Sequence, residues 1–247
     1  MLSTLRTPSN SQPSLYIDLE GENLSRDGTI SLLTLHVLPS QTTYLVDVHN
    51  LQNSAFTTAV SATDDQTLKK VLESAEIKKV FFDVRNDSDA LFFHYGIALQ
   101  GNQDLQLMEL AARDYNRKFV SGLGKCLASL HLPQREHAEC QHVKEEAPKL
   151  FAPDKGGSYA VFNERPLQPL IKQYCVQDVV HMPALWQRYN SDMDDFWRDM
   201  VEQATEARVQ ESQSSGYQPH GRHKAHGCWT KADIKDARKR WNRTGAL

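Results

Sequence analysis

Two acidic side chains at the end of an apolar segment are the first feature of this chain that could do chemistry. Asp18 and Glu20 close the run SLYIDLE, whose residues 15–19 are β-prone. Side chains alternate across a strand, so Asp18 and Glu20 should point to the same face. Two carboxylates on one rigid face can hold a hard divalent cation. The alternative is a solvated strand end, but acidic residues are depleted from strands and rarely adjoin so apolar a run.

A phenol and a third carboxylate form a second candidate group much later in the chain. Tyr174 and Asp178 lie four residues apart in a stretch with helical periodicity, so they should share one helix face. Between the two groups, Asp87 follows a short apolar run, with Asp83 and Asp89 close by. Aspartates at such a strand-to-helix junction often cap the helix, which is the alternative for Asp87. The complete candidate set for a two-metal site is Asp18, Glu20, Asp87, Tyr174 and Asp178.

The chemistry that needs such a set is phosphodiester hydrolysis. Water must add to a phosphorus that already carries negative charge, so catalysis depends on neutralising charge and aligning the attacking and leaving oxygens. Two divalent ions about 4 Å apart do both. Ligands that are all oxygen favour Mg²⁺ or Mn²⁺ over zinc and leave positions open for a substrate phosphate. The residues therefore predict a nuclease site that uses two Mg²⁺ or Mn²⁺ ions.

The elements that must position these side chains begin with strands. Three β-prone runs, at residues 15–19, 29–38 and 43–48, are separated by short turn-rich joins and predict an antiparallel meander. Residues 65–77 then predict an amphipathic helix, and KKVFF at 78–82 predicts a short buried strand that returns to the sheet. A sheet of strands followed by interleaved helices is typical of an α/β fold.

From Asp87 onward the pattern is largely helical, with one interruption. The polar segment at about 137–158 is rich in Lys, Glu, Pro and Gly and predicts an insertion or a mobile loop. The organisation predicted from these runs is a disordered leader at 1–13, a main domain at 14–190 and a helical, basic extension at 191–247.

The motifs resemble those of the DEDDy branch of 3′-5′ exonucleases, which includes ribonuclease D, from about Leu15 to Tyr189. DLE resembles the first motif. KKVFFDVRNDSDALFFHYGI resembles the second, in which the family's aspartate precedes apolar helix positions by four and ten residues, as Asp87 precedes Leu91 and Ile97. RPLQPLIKQYCVQDV resembles the third motif. QDLQLMELAAR resembles the family's Asp-Thr-Gln segment, with Asp104 leading a helix.

The resemblance implies a ribonuclease H-like fold with a mixed central sheet flanked by helices, and it implies a role for each residue. Asp18 would bridge two ions, Glu20 and Asp178 would complete the site of the ion that activates water, and Asp87 would hold the second ion. Tyr174 would orient the attacking water. Two departures, Phe82 where the family usually has His and Leu105 where it has Thr, indicate a divergent subgroup. Some relatives of that kind have lost their metal-binding carboxylates, whereas this chain keeps all of them.

Composition agrees with an enzyme of a reducing compartment. A chain of 247 residues with 40% apolar content can build one substantial domain and an appendage, and no apolar span approaches about twenty residues, so a membrane protein is not expected. The four cysteines show no paired pattern and no signal peptide precedes them, which predicts free thiols. The Ser-rich residues 1–13 contain a single Arg, so a disordered leader is a better interpretation than a transit peptide. We expect an intracellular protein, in the cytoplasm or nucleus.

The C-terminal tail differs from the rest of the chain in charge. Residues 220–247 carry eight Lys or Arg against two Asp, a net charge of +6, while the whole chain carries −3. This arm could attract an anionic polymer to an otherwise acidic body, or it could be a solvated helix from about Thr230 to Arg243 or a nuclear-import signal. Trp229 and Trp241 could stack on bases or dock the tail onto the domain.

Zinc is a weaker alternative for the metal. The His and Cys residues that suggest it fall in two clusters without the paired spacing of a structural site. These are His137, Cys140 and His142, and then His220, His223, His226 and Cys228.

Two functions remain open on the sequence. The leading hypothesis is a metal-dependent 3′-5′ exonuclease that acts on RNA or DNA 3′ ends. The alternative is a catalytically silent nucleic-acid- or protein-binding module on the same fold. The intact acidic set favours the enzyme.

Overall fold

The central element is a mixed β-sheet with strand order β3-β2-β1-β4-β5, seen in a computed structural model that describes residues 11–246. The strands are β1 Leu15–Glu20, β2 Leu32–Val37, β3 Thr42–Val46, β4 Lys79–Phe81 and β5 Asn102–Asp104. β1, β2 and β3 pair antiparallel, while β4 is parallel to both β1 and β5. The predicted meander and the α/β class with a mixed sheet are therefore confirmed.

Helices cover both faces of this sheet. In the described part of the chain they are α1 Val48–Leu51, α2 Ser54–Thr57, α3 Leu68–Leu72, α4 Arg85–Tyr95, α5 Leu105–Ala112, α6 Leu123–Ala128, α7 Gln134–Phe151, α8 Pro169–Val180, α9 Met182–Asp192, α10 Asp195–Gln213 and α11 Lys231–Thr244. None of the helices among residues 11–246 is long and apolar enough to cross a lipid bilayer.

β1 lies between the two hydrophobic layers, and its alternating side chains divide between them. Ile17 and Leu19 enter one buried cluster, in which α4 contributes Leu91. Tyr16, on the opposite face, belongs to a second cluster that includes Val179 of α8. Asp18 and Glu20 follow Tyr16 on that same face, so the strand that anchors the core also carries two acidic side chains toward α8.

Near β4, one predicted helix is shorter than expected and one strand was not predicted. The helix predicted over 65–77 is confined to α3, because the Lys79 ammonium donates to the carbonyls of Val71 (3.0 Å) and Ser74 (2.6 Å), which a longer helix would use internally. β5 was not predicted at all. Its three residues are polar, and it exists as a strand because β4 offers a free edge on which Lys79 pairs with Asn102.

The segment predicted as an insertion or mobile loop at 137–158 is mostly helix α7. The mobile-loop alternative was wrong because the Lys, Glu and Pro content obscured a buried stripe at helical spacing, Cys140, Val143 and Ala147. That stripe packs α7 alongside α8. Pro148 is accommodated within the last turn of the helix.

The C-terminal extension is helical, as predicted, and it is docked. Thr230 caps α11 in a reciprocal capping box with Asp233, close to the predicted helix start. The ring of Trp229 lies 5.5 Å from that of Trp197 in α10, and the ring of Trp241 lies 6.1 Å from that of Phe196. Both tail tryptophans therefore pack the basic tail onto α10, and α10 in turn joins the extension to the domain through its contacts with α4 and α5.

The leader predicted at 1–13 lies mainly outside the described residues. Of the part that is described, Gln12 donates to the carbonyl of Pro183 (3.0 Å) and to the hydroxyl of Tyr16 (3.2 Å). Gln12 is thus attached to the domain that was predicted to begin at residue 14.

Candidate active site

Three of the predicted carboxylates meet where α8 crosses the end of β1. α8 packs over β2 through a buried cluster that includes Leu32, Ile171 and Cys175, and this contact aims Asp178 at Asp18 and Glu20. One ligand oxygen from each of these three acids lies within 4.8 Å of the others. Oxygens that share a divalent ion at 2.0–2.6 Å must lie about this close, so the three fit a Mg²⁺ or Mn²⁺ ligand set.

The turn after β4 places Asp87 beside this group. Asp83 adopts a left-handed backbone conformation with φ of +62°, and α4 then begins at Arg85, which puts Asp87 in the first turn of the helix. Asp87 is buried, and its Oδ1 has no hydrogen-bond partner among residues 11–246. A buried carboxylate oxygen without a donor is costly unless it is protonated or meets a cation, which fits the role of a metal ligand.

In the part of the chain that the structure describes, the four carboxylates are crowded together without a neutralising arginine. Burial raises the pKa of Asp18 and of Glu20 well above the usual range, and repulsion from the neighbouring acids raises both further. Burial likewise raises the pKa of Asp87 to about 7 and that of Asp178 to about 6. Such a group binds protons or metal ions more readily than an ordinary surface acid. We call Asp18, Glu20, Asp87 and Asp178 the carboxylate cluster.

Tyr174 contacts this cluster as a hydrogen-bond donor. Burial, and then the negative charge of Asp178, raise the pKa of the Tyr174 phenol well above its usual value, so the hydroxyl keeps its proton and donates a hydrogen bond to Asp178. The ring packs against Phe151 at a centroid distance of 4.9 Å. Tyr174 and Asp178, which the sequence predicts to share one helix face, thus both lie at the site, and their hydrogen bond orients the two side chains.

The two aspartates that flank Asp87 have different surroundings. Asp89 is fully buried and paired with Arg26, whose Nε donates to it at 2.7 Å. Burial alone would raise the pKa of Asp83, but the hydrogen bond from Arg85 and the charge of Arg208 hold it below the usual value. Both side chains are therefore neutralised by arginines, whereas Asp87 is not, and this supports the register that selects Asp87 as the ligand.

Two lysines near the cluster were not found by sequence reasoning. Lys144 of α7 is half-buried, with Nζ 3.5 Å from the carbonyl of Gly124, and its charge acts on Asp178. Lys224 of the tail donates to Asn86, the residue before Asp87, and its charge lowers the pKa of Asp87. The only signal for Lys144 was the helical period of α7, and nothing local in the sequence marks Lys224.

Zinc receives no support from the geometry. Within residues 11–246, the group of three or more potential ligands that converges is Asp18, Glu20 and Asp178. Cys140 instead lies 3.2 Å from Nε2 of His181, and all four cysteines are free thiols.

A sheet of this order with a carboxylate cluster at the end of its central strand defines a nuclease-type domain. The family model described as 3′-5′ exonuclease matches residues 2–193, and the chain belongs to this family. Among curated proteins, the piRNA biogenesis protein EXD1 of Bombyx mori is 25% identical over 190 residues, which cover 74% of this chain and 52% of that protein. This chain therefore spans about half the length of that relative.

Solved structures of RNase D share the fold. RNase D of Trypanosoma brucei in complex with GMP superposes with a TM-score of 0.69 at 22% identity, covering 96% of this chain and 66% of that one. The same enzyme in complex with RNA U12 gives a TM-score of 0.63 at 22% identity, covering 90% of this chain and 71% of the other. The ribonuclease H-like architecture that the resemblance implied is thereby confirmed.

Proposed function

We propose that this chain is a metal-dependent 3′-5′ exonuclease that hydrolyses phosphodiester bonds at nucleic-acid 3′ ends with two Mg²⁺ or Mn²⁺ ions. The observation that carries the proposal is the convergence of Asp18, Glu20 and Asp178, with buried Asp87 next to them, in a chain of the 3′-5′ exonuclease family. A binding module without catalytic activity would have no need to keep so many buried, mutually repelling acids.

The carboxylate cluster would hold the ions. The charges of Glu20, Asp178 and Asp87 all act on Asp18. Asp18 would therefore help to hold both ions, with Glu20 and Asp178 completing one site and Asp87 the other. When bound, the ions supply positive charge that stabilises the transition state and lowers the pKa of water. The protein supplies the rigid geometry, because β1 and α8 are fixed by packing rather than by the ions.

Tyr174 is proposed to orient the attacking water. Its hydroxyl stays protonated and is held by Asp178, so it lies beside the metal ligands and can exchange that hydrogen bond for one with a water or a phosphate oxygen. Positioning of this kind is a common source of rate enhancement in phosphoryl transfer.

A nucleic-acid substrate is supported by the solved structures with the same fold. The T. brucei RNase D structures contain GMP and RNA U12. We infer that this chain also accepts a nucleic-acid 3′ end, of RNA or DNA.

The test uses a 5′-labelled single-stranded oligonucleotide, the purified full chain, and either Mn²⁺, Mg²⁺ or EDTA. A ladder that shortens from the 3′ end with metal and not with EDTA is the expected result, and a 3′-blocked oligonucleotide should resist. Asp18→Ala excludes a contaminating nuclease, and Asp27→Ala, which changes an exposed carboxylate outside the cluster, is the matched control. Tight binding without any shortening would instead identify a catalytically silent binding module.

A further inference from the structure

The chain beyond the family match folds back onto the edge of the carboxylate cluster. Arg85, at the start of α4, donates from Nη2 to the carbonyl of Lys224 at 3.0 Å. The Lys224 ammonium in turn donates to the side chain of Asn86 and to the carbonyl of Pro219 (3.2 Å). A positive charge from the C-terminal segment is thereby fixed one residue away from Asp87.

Immediately after Lys224, the tail pairs with an exposed loop. The Val120 N–H donates to the carbonyl of Ala225 at 3.0 Å, and the Gly227 N–H donates to the carbonyl of Lys118 at 2.9 Å, so that Phe119 lies opposite His226. A Cβ on Gly227 would come within 2.1 Å of the Arg117 carbonyl, so the close approach requires glycine. We call Lys118–Val120 and Arg222–Gly227 the C-terminal rim.

The C-terminal rim presents an aromatic ring and cations together. Phe119 is 49% exposed, its ring centroid lies 5.0 Å from that of His226, and the Lys118 ammonium lies 5.2 Å from the ring. Arg222 is also exposed, and residues 220–230 contain no acidic side chain. An isolated exposed aromatic is common on protein surfaces, but this one stands beside cations, on a segment paired with the tail that Arg85 and Asn86 hold.

Single-stranded nucleic acid matches these features. Bases stack on exposed aromatic rings regardless of sequence, and flanking cations hold the phosphates between them. The need for cations is greater here, because the carboxylate cluster repels a phosphate chain until metal is bound.

We propose that the C-terminal rim binds the nucleotides that lie just upstream of the 3′ end, with a base on Phe119 and phosphates on Lys118, Arg222 and Lys224. This rests on the proposed function in one respect, namely that the bound strand ends at the carboxylate cluster. Binding itself does not require hydrolysis, and it is measured separately.

The test is fluorescence anisotropy of a labelled single-stranded 12-mer with the full chain carrying Asp18→Ala, in Ca²⁺. Adding Phe119→Ala should weaken binding by about 5- to 100-fold, the range for loss of a stacking aromatic. Phe119→Trp should retain binding. The matched control is Tyr44→Ala, because Tyr44 is a similarly exposed aromatic (47%) on β3, away from the C-terminal rim, and it should leave binding unchanged.

The cations are tested by salt dependence. Lys118→Gln and Arg222→Gln should each reduce the slope of log affinity against log salt by about 0.7, as expected for loss of one phosphate contact to a single strand. Circular dichroism melting checks that each variant is folded. Equal affinities of folded Phe119→Ala and Tyr44→Ala proteins, or unchanged salt slopes, would overturn the proposal.

Activity separates this inference from the proposed function. With Asp18 intact and Mn²⁺ present, Phe119→Ala should raise the KM for a 12-mer with little change in kcat, since the C-terminal rim is proposed to bind the strand and the carboxylate cluster is unaltered. A wild-type protein that binds the 12-mer through Phe119 but never shortens it would refute the proposed exonuclease activity and support nucleotide binding by the C-terminal rim. If the wild type is an exonuclease and its Phe119→Ala variant processes the 12-mer normally, only the proposal that the C-terminal rim binds nucleotides would be refuted.

Discussion

Two groups of buried acids lie at the same end of the sheet, and they are compensated in opposite ways. In the carboxylate cluster, none of the described arginines pairs with Asp18 or Asp87. In the neighbouring group, Asp104 accepts from Arg208 at 2.6 Å and from the backbone N–H groups of Asp83 and Val84 at 3.0 and 3.2 Å. Arg85 pairs with Asp83. We call Asp83, Asp104, Arg85 and Arg208 the paired cluster.

We infer that the difference separates acids that stabilise the fold from acids that bind metal. An acid whose charge is balanced by an arginine and by N–H donors fixes the turn between β4 and α4 and the start of α5, and its loss leaves a buried charge unpaired. An acid that is buried beside other acids costs free energy in the metal-free protein, so its presence needs another cause. Binding of divalent cations is such a cause. Position along the chain does not distinguish the two kinds of acid, since Asp83 and Asp87 belong to different clusters and are only four residues apart.

The largest expected effect is on activity, in Asp18→Ala or Glu20→Ala. Either change should lower turnover by at least about 10³-fold, because the metal site supplies most of the charge stabilisation. The free energy of unfolding of the metal-free protein should not fall, since a repelling charge is removed. Single-turnover rates and urea unfolding in EDTA measure the two quantities. Near-native turnover in Asp18→Ala would end the proposed mechanism.

Asp87→Asn compared with Asp89→Asn is the sharpest test of the boundary between functional and structural acids. Asp87→Asn should lower activity by about 10²-fold or more and weaken binding of Mn²⁺, measured by calorimetry, because it removes an uncompensated ligand. Asp89→Asn should instead destabilise the fold by breaking the buried pair with Arg26, with a milder effect on turnover of the folded fraction. The opposite ranking would mean that the second motif is misaligned.

Within the paired cluster, Asp104→Asn should act on stability. It leaves Arg208 with only Asp83, at 3.6 Å, as a carboxylate partner. We expect the free energy of unfolding to fall by about 3 kcal/mol, as for other buried pairs that lose one member. Urea unfolding at neutral pH measures it, with Asp18→Asn as the matched change in the carboxylate cluster. Equal losses in the two variants would remove the distinction between the clusters.

Tyr174→Phe should have a smaller, purely kinetic effect. The ring and its contact with Phe151 remain, and only the hydroxyl that Asp178 now holds is lost. Turnover should fall by roughly 10- to 10³-fold with stability and metal affinity little changed. Asp178→Ala is the comparison, because it should lower metal affinity as well. A Tyr174→Phe protein that turns over normally would make Tyr174 a packing residue.

The sequence predicted the strands and acids that follow strong local patterns. Asp18 and Glu20 alternate within β1, and Tyr174 and Asp178 share one face of α8, so their positions depend on periods of two and of about four residues. β5 escaped prediction because three polar residues form a strand only when β4 supplies the pairing. Lys224 escaped because its place depends on a tertiary contact with Asn86, 138 residues away along the chain.

The pH dependence of metal-free stability is the last and smallest expected effect, and it has a defined sign. The folded-state pKa of Asp87 is about 7 and that of Asp178 about 6, whereas an unfolded aspartate titrates near 3.9. Between these values the folded state binds more protons than the unfolded state, so stability falls as pH rises from about 4 to 7. In EDTA the melting temperature should therefore drop by several degrees between about pH 5 and pH 8.

Metal should reverse this trend, because cations bind the deprotonated acids and stabilise the folded state by mass action, most strongly at the higher pH. Asp47 provides an internal contrast. Arg165 lowers its pKa to about 2, so its contribution is complete above about pH 4 and is lost only as pH falls toward 2, outside the window of the cluster. Melting curves with and without Mn²⁺, for the wild type and for Asp87→Asn with Asp178→Asn, measure the effect. The double variant should have a shallower slope, with a remainder from Asp18 and Glu20, whose pKa values are also raised by burial, and it should lose most of the response to Mn²⁺. A metal-free wild type that becomes more stable from pH 5 to pH 8 would show that the acids are compensated after all.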